Sequence, residues 1–581
     1  MRRGRVVDTA RAGREDGGMS LPLIAGLFLV LLALGYHFYG GFIARQYNLD
    51  DGAVTPAHAK QDGVDFIPTK PFYLLGQHFS AIAAAGPIAG PILAAQQFGW
   101  LPALMWISFG VVFIGAVHDL STLIASVRHG GVSIAEVVRE HLGPRAGVAM
   151  LLFIWVALIY VIVAFTDATA STFVSGDADL AGLTFRFNPG GAVAAASIMY
   201  LVLAVVMGVV DRFLKPPLWL QTVLFVPATL GAVWLGTQVS TVLVMDAKAW
   251  SVLILAYCFV ASLTPVWILL QPRGYLGGFV LYAALAIGVV GIFYGGLKGE
   301  LSIQQPAFNG FQVGGAGGAL FPFLFVTIAC GACSGFHGLV CSGTTSKQID
   351  KESHVHPVGY GAMLLEGFVA VIALATVMIA TKADLTGKAP GAVYGMGLGR
   401  LLVTIIGPEH LLFATTFGAM AFSTFVFDTL DVSTRLGRYI LQELTGAKGR
   451  TAAGLATAIT CGVPMLFVLL AGTGAWRSFW TLFGTSNQLL ASLSLLGICV
   501  WLKKSGKRYA YALLPMLFVG AVTLTSLVLQ IRDAFFVPEA TAAVRLNGVV
   551  ALVLLALALS LFVAGGRVLL NRDGARPAPA V

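Results

Sequence analysis

About fourteen apolar stretches, each long enough to cross a bilayer, run between Leu21 and Val563. No other feature constrains this chain as strongly. With 57% hydrophobic and only 11% charged residues, against about 25% charged in soluble proteins, such stretches cannot share one water-soluble core. The chain needs lipid as its solvent. Period-2 alternation, the mark of barrel strands, is absent, so the spans are read as helices. They are placed near 21–43, 101–127, 147–174, 190–210, 217–237, 250–271, 276–296, 317–340, 358–381, 408–430, 451–471, 478–502, 509–531 and 544–566. The expected fold class is an all-α polytopic membrane protein with about fourteen transmembrane helices plus a broken or re-entrant segment.

The net charge of +9 comes from basic residues in short clusters between apolar runs. That pattern orients a membrane protein and does not mark a nucleic-acid surface. Arg2, Arg3, Arg5, Arg11 and Arg14 place the amino terminus in the cytoplasm, with Met1 or Met19 as the start. Arg128, Arg139 and Arg145 mark one later cytoplasmic loop, Arg435, Arg438, Lys448 and Arg450 a second, and Lys503, Lys504, Lys507 and Arg508 a third. Both termini of this multi-pass protein then face the cytoplasm. A basic tail is expected over 1–20 and a flexible tail over 571–581. The six cysteines lie in or beside apolar segments, which argues against a disulfide framework.

Two interruptions stand out. Gly86-Pro87 and Gly90-Pro91 fall in the segment 79–97 and loosen its helix. The basic clusters agree with one another if this segment re-enters or breaks; the alternative is a full span here and a misplaced span elsewhere. Gly331, Gly335, Gly338 and Gly343 interrupt a second segment, 329–346. Non-helical backbone at membrane depth is tolerated only inside protein or against a wet cavity. Paired interrupted segments point to a transporter binding site. The expected substrate-lining set is therefore Gln77, His78, Ser80, Gly86, Gly90, Ser334, His337, Ser342, Thr344, Thr345 and Asn487.

Ionisable groups inside apolar runs are costly and rare. Asp167 is a candidate carrier of a coupling proton, or a hydrogen-bonded packing residue. His118-Asp119 reads as a proton relay or an interfacial cap. Glu366 reads as a carboxylate near a helix start, favoured there by the macrodipole. Asp428 and Asp431 share a helix face, and Arg435 lies four residues beyond Asp431. That trio is a structural ion pair or a gate. Thr485-Ser486-Asn487-Gln488 joins helices or coordinates a substrate or ion. Cys330-x2-Cys333-x3-His337-x3-Cys341 has metal-like spacing, but its Gly, Ala and Ser surroundings favour packing cysteines. No metal and no cofactor is expected.

Gly76-Gln77-His78-Phe79, Ala85-Gly86-Pro87-Ile88-Ala89-Gly90-Pro91, Gly115-Ala116-Val117-His118-Asp119 and Ser334-Gly335-Phe336-His337 together resemble the carbon starvation protein A family. So do Ser342-Gly343-Thr344-Thr345-Ser346-Lys347, Asp428-Thr429-Leu430-Asp431 and Gly484-Thr485-Ser486-Asn487-Gln488. The likeness covers about 22–535; the basic amino-terminal extension departs from it. It implies an inner-membrane uptake transporter for peptides or pyruvate, used when nutrients are scarce. It also implies an amino-terminal transmembrane region over 21–385 followed by a carboxy-terminal one over 400–570, and similarity to the amino acid–polyamine–organocation transporters, with their inverted repeats and broken helices.

The expected function is secondary active import of a small carboxylate-bearing nutrient, pyruvate or a short peptide, by symport with H⁺, Na⁺ being the other coupling ion considered. The rival readings are a passive channel and, behind it, a membrane enzyme. No phosphate-binding Gly-x4-Gly-Lys-Ser/Thr loop supports a primary pump. The partners expected are a small-molecule substrate, the bilayer and the coupling ion, and no nucleic acid.

Overall fold

A computed structural model describes residues 20–571 except 63–64, 175–186, 266, 314–317 and 471–475. The expected basic tail over 1–20, save Ser20, and the expected tail over 571–581, save Asn571, lie outside the described residues. Helices account for the architecture, and among the described residues only two isolated β-bridges occur. In chain order the helices are α1 Leu21–Tyr47, α2 Pro71–Ile82, α3 Gly86–Phe98, α4 Trp100–Arg128, α5 Ile134–Leu142, α6 Pro144–Phe173, α7 Pro189–Leu214, α8 Leu218–Gln238, α9 Ala247–Leu263 and α10 Leu270–Leu297. They continue as α11 Leu320–Thr327, α12 Gly335–Gly343, α13 Glu352–Met378, α14 Pro390–Ile406, α15 Leu411–Thr445, α16 Arg450–Leu470, α17 Trp476–Lys504, α18 Ala510–Phe536 and α19 Ala542–Leu570. One-turn helices at Pro56–Ala59 and Lys382–Leu385 lie in the connections.

Among the described residues, twelve helices are long and apolar enough to cross a membrane, or thirteen if the bent pair α2–α3 counts as one span. Two shorter apolar helices, α9 and α14, accompany them. The polytopic helical class therefore holds, but the spans differ from the sequence reading at two places. Residues 317–340 do not form one crossing. They split into α11 and α12 around non-helical backbone from Ile328 to Ser334. Conversely, α14 falls where the sequence reading has a connection.

Glycine explains that second difference. Gly391, Gly395 and Gly399 lie four apart and lower intrinsic helix propensity. The same spacing lines one face of α14 against α15. A methyl at Gly395 would lie 2.8 Å from the Ala419 amide nitrogen, and one at Gly399 2.9 Å from that of Thr415. Close backbone approach through small residues drives helix association in lipid. Packing thus overrides propensity.

The core sits on two helices. The apolar window of α17 is 100% buried and that of α13 is 89% buried, whereas α8 buries only 28%. Accordingly α8 presents Trp219, Val223, Leu230 and Trp234 outward. This is an apolar surface suited to acyl chains.

The two broken segments cross each other. The α2–α3 pair bends by 48°. Gly86 lies so close to Cys330 that any β-carbon there would overlap the sulfur, and one at Gly90 would lie 2.7 Å from the Thr327 carbonyl oxygen. Carbonyls freed where α11 ends are not left bare. The Trp106 Nε1–H donates to Ile328 O (3.0 Å), Trp480 Nε1–H to Thr327 O (3.1 Å) and Gln488 Nε2 to Phe325 O (2.9 Å). Side chains from α4 and α17 thus do in the membrane what water does at a soluble helix end. Gly86→Ala should destabilise the purified protein by about 1–3 kcal/mol through overpacking. Adding Cys330→Gly should recover most of that loss in a thermal melt. Equal melting of the wild type and Gly86→Ala would show that the crossing has slack.

Candidate functional site

Four ionisable side chains from three helices meet where the breaks converge. His118 and Asp119 are on α4, one turn past a π-helical turn at Val111–Gly115. His337 is in the first turn of α12. Glu366 is on α13, five residues past a second π-helical turn, His356–Gly361. All four are at most 1% exposed.

Asp119 is the hub. Its Oδ1 lies 2.8 Å from His118 Nδ1, and its Oδ2 lies 2.8 Å from His337 Nδ1. As a carboxylate it accepts from both rings. The other His337 nitrogen, Nε2, is 3.0 Å from Glu366 Oε2. This is ion-pair distance, but ring and carboxyl are not aligned for a full hydrogen bond. His118 Nε2 also has no hydrogen-bond partner. It borders Gly338 of α12, where a β-carbon would lie 3.3 Å away.

A second layer adjoins this quartet. His78 Nδ1 is 2.9 Å from Thr345 Oγ1, and His78 Nε2 is 3.8 Å from Cys341 Sγ. The Cys341 thiol also reaches Asp119 O at 3.6 Å. Residues from α2, α4, α12, α13 and the turn after α12 therefore form one continuous polar core.

Several sequence expectations need correction. His118-Asp119 does not cap a helix end; the pair is fully buried within α4. Glu366 is not near a helix start. The polar stretch Glu352–His356 is itself helical, so α13 begins well before Glu366. The expected Asp431–Arg435 pair does not form. Arg435 donates from Nη2 to Ala261 O and Thr264 O (2.9 and 2.8 Å), and Arg438 from Nη1 to Ser262 O (2.7 Å). These cations cap the end of α9, where free carbonyls and the macrodipole favour them. Asp431 is bound instead by Arg273 of α10, which the sequence reading passed over. Arg273 also donates from Nε to Asp428 Oδ1 (2.7 Å) and from Nη1 to the Tyr257 hydroxyl (2.7 Å), while that hydroxyl donates to Asp431 Oδ2 (2.8 Å).

Of the expected lining set, His78, His337 and Thr345 are gathered at the centre. Asn487 and Ser334 are beside it, but their groups are engaged. Asn487 Oδ1 accepts from the Phe336 amide (2.9 Å), and its Nδ2 donates to Ser334 Oγ (3.1 Å). Gly86 and Gly90 serve the helix crossing. The Ser342 hydroxyl donates to Gly338 O (2.6 Å) and accepts from the Ile134 amide (3.1 Å). Gln77 and Thr344 are exposed, and Ser80 is half-buried. Asp167 is buried on α6, which packs on α15 and α17. Cys330, Cys333, His337 and Cys341 do not converge as a metal set, because His337 faces the two carboxylates and Cys330 Sγ faces Asn487 Nδ2 at 3.3 Å.

Fold and centre together define a polytopic helical membrane protein of the transporter class, with broken helices around a sealed ionisable cluster. The family is equally plain. The chain belongs to the carbon starvation protein CstA family, whose model matches residues 20–388 and 380–526. It is 33% identical to the peptide transporter CstA of Bacillus subtilis strain 168, over 92% of this chain and 95% of that relative. It is 34% identical to the peptide transporter CstA of Escherichia coli K12, over 87% and 80% respectively. It is 31% identical to the pyruvate/proton symporter BtsT of the same strain, over 84% and 78%.

Proposed function

We propose that this protein imports a small carboxylate-bearing nutrient, pyruvate or a short peptide, by proton symport across the inner membrane, with both termini cytoplasmic. The observation that carries this reading is the buried chain His118–Asp119–His337–Glu366. Burying net charge is costly, so such a cluster favours a balanced number of protons. An anionic substrate entering beside it upsets that balance, and one added proton restores it. Imidazole can hold a proton on either ring nitrogen and suits the task. His118 Nε2, bordering Gly338, is the nitrogen of the cluster left for an incoming group.

Glu366 then carries the coupling proton by exchange with His337 Nε2. Rocking of α12 against α4 and α13 would break and remake the contacts that bind the proton. The relatives named for peptides and for pyruvate with a proton agree with this chemistry. The named transport activities also support a non-enzymatic role.

Proteoliposome uptake tests it. Labelled pyruvate and a panel of dipeptides are offered with an imposed pH gradient, in sodium and in sodium-free buffer. One proton per substrate should give about tenfold accumulation per pH unit, since one unit is worth about 1.4 kcal/mol. Glu366→Gln should remove accumulation, and Asp167→Asn should leave it. Sodium-dependent accumulation, or loss only in Asp167→Asn, would overturn the assignment. Uptake that never exceeds equilibrium in the wild type would make the protein a passive facilitator.

A further inference from the structure

We propose that His129, Glu140 and His141 form a binding site for a divalent transition-metal cation where α4, α5 and α17 meet. The site is separate from the buried quartet and does not depend on the transport reading.

Local sequence builds it. α4 ends at Arg128, with His129 as its cap. Gly130 and Gly131 follow with φ of +75° and +77°, a left-handed turn that side chains resist. The Gly131 amide closes that turn on Ser126 O at 2.8 Å. Ser133 then caps α5, accepting from the Glu136 amide at 3.3 Å. This sharp reversal returns the chain so that His141, at the far end of α5, faces His129.

One ligand atom from each of His129, Glu140 and His141 lies within 4.8 Å of the other two, and no other such triad occurs among the described residues. The two imidazole Nε2 atoms are 2.9 Å apart. His129 Nδ1 is 2.6 Å from Ala125 O, and only an N–H at that nitrogen satisfies a carbonyl. The tautomer is therefore set, and the His129 Nε2 lone pair points at His141. Fixing one ring nitrogen on a carbonyl so that the other is free to ligate is the usual support of a metal-bound histidine. The rings themselves are held in place. His129 packs edge-on against Trp501, with centroids 5.3 Å apart, and the His141 carbonyl accepts from Lys504 Nζ at 2.7 Å. Without a cation, His141 Nε2–H donates to His129. When a cation binds, His141 moves its ring proton from Nε2 to Nδ1, so that both Nε2 lone pairs face the ion, and the exposed Glu140 carboxylate joins them.

The ligand set also selects the metal. Two imidazoles and one carboxylate suit Zn²⁺, Co²⁺ or Ni²⁺ and leave one position for water. The Lys504 ammonium nearby opposes Mg²⁺ and Ca²⁺, which bind through charge and oxygen alone. A bound ion would tie the end of α4, the helix that carries His118 and Asp119, to α5.

The test uses the purified full chain in detergent, stripped with chelator. Calorimetric titration should show one Zn²⁺ per chain, unaffected by tenfold excess Mg²⁺. Co²⁺ should give a visible d–d spectrum with imidazole ligation, a readout that needs no variant. His129→Gln and His141→Gln should each weaken Zn²⁺ binding at least about tenfold. Glu140→Gln should weaken it less, and His58→Gln, at an exposed histidine elsewhere, should not change it. No stoichiometric Zn²⁺ binding, or equal binding by the His129→Gln/His141→Gln double variant, would reduce the pair to an ordinary hydrogen bond and end the proposal.

Discussion

Asp119→Asn is expected to abolish gradient-driven accumulation while leaving substrate exchange in place. Asp119 accepts from two histidine rings through its two oxygens. Asparagine keeps the volume but offers one oxygen and one NH₂, so one ring donor loses its acceptor. An unsatisfied buried donor costs about 1–3 kcal/mol, small enough for the bundle to stay folded. The proton chain is nevertheless cut at its hub. In proteoliposomes with a pH gradient, the inside-to-outside substrate ratio should fall to unity. Counterflow of labelled against unlabelled substrate should continue. Undiminished accumulation by this variant would take the quartet out of coupling.

Arg273→Met should produce the largest loss of stability. Arg273 is 2% exposed and holds both Asp428 and the fully buried Asp431, joining α10 to α15. Methionine fills much of the space but leaves two carboxylates without a cation. Removing one partner of a buried pair costs about 3–5 kcal/mol, because the remaining charge is stranded. The purified variant should melt far below the wild type and accumulate poorly in membranes. Adding Asp428→Asn and Asp431→Asn should restore much of both, because the stranded charge is gone. If that triple variant transports but no longer closes on one side, as judged by cysteine accessibility, the network is also a gate. A wild-type melt for Arg273→Met would mean that α10 and α15 are held by packing alone.

The sequence was most legible where physical cost is local. A histidine or aspartate inside an apolar run is expensive wherever it points, and so His78, His118, Asp119 and His337 stand out without any structure. The Gly-Pro steps and the glycine-rich 329–346 segment likewise announce their breaks. Legibility failed where cost is settled by distant partners. Glu366 lies on a helix whose polar first turns read as a loop, which hides how far it stands from the helix start. Arg273 follows Gln271-Pro272, just past a span placed near 250–271. Nothing within four residues reveals that it pairs with carboxylates more than 150 positions later. Helical spacing pairs Arg435 with Asp431, a preference of only about 0.2–0.5 kcal/mol per pair on a helix surface. A buried guanidinium aligned on two acids outweighs it. α14 was hidden for a related reason, since glycine weakens a helix in isolation and strengthens one pressed against a neighbour.

The burial of the apolar stretch of α17 bears on how the protein is made. Its Thr485, Ser486, Asn487, Gln488, Ser492 and Ser494 are all inside the bundle, so this helix is a poor candidate for partitioning into lipid alone as it leaves the translocon. Its sheath partners α18 and α19 are synthesised after it. Biogenesis must therefore hold the most polar spanning segment in a provisional berth until the last two helices emerge, and surveillance proteases have their opening in that interval.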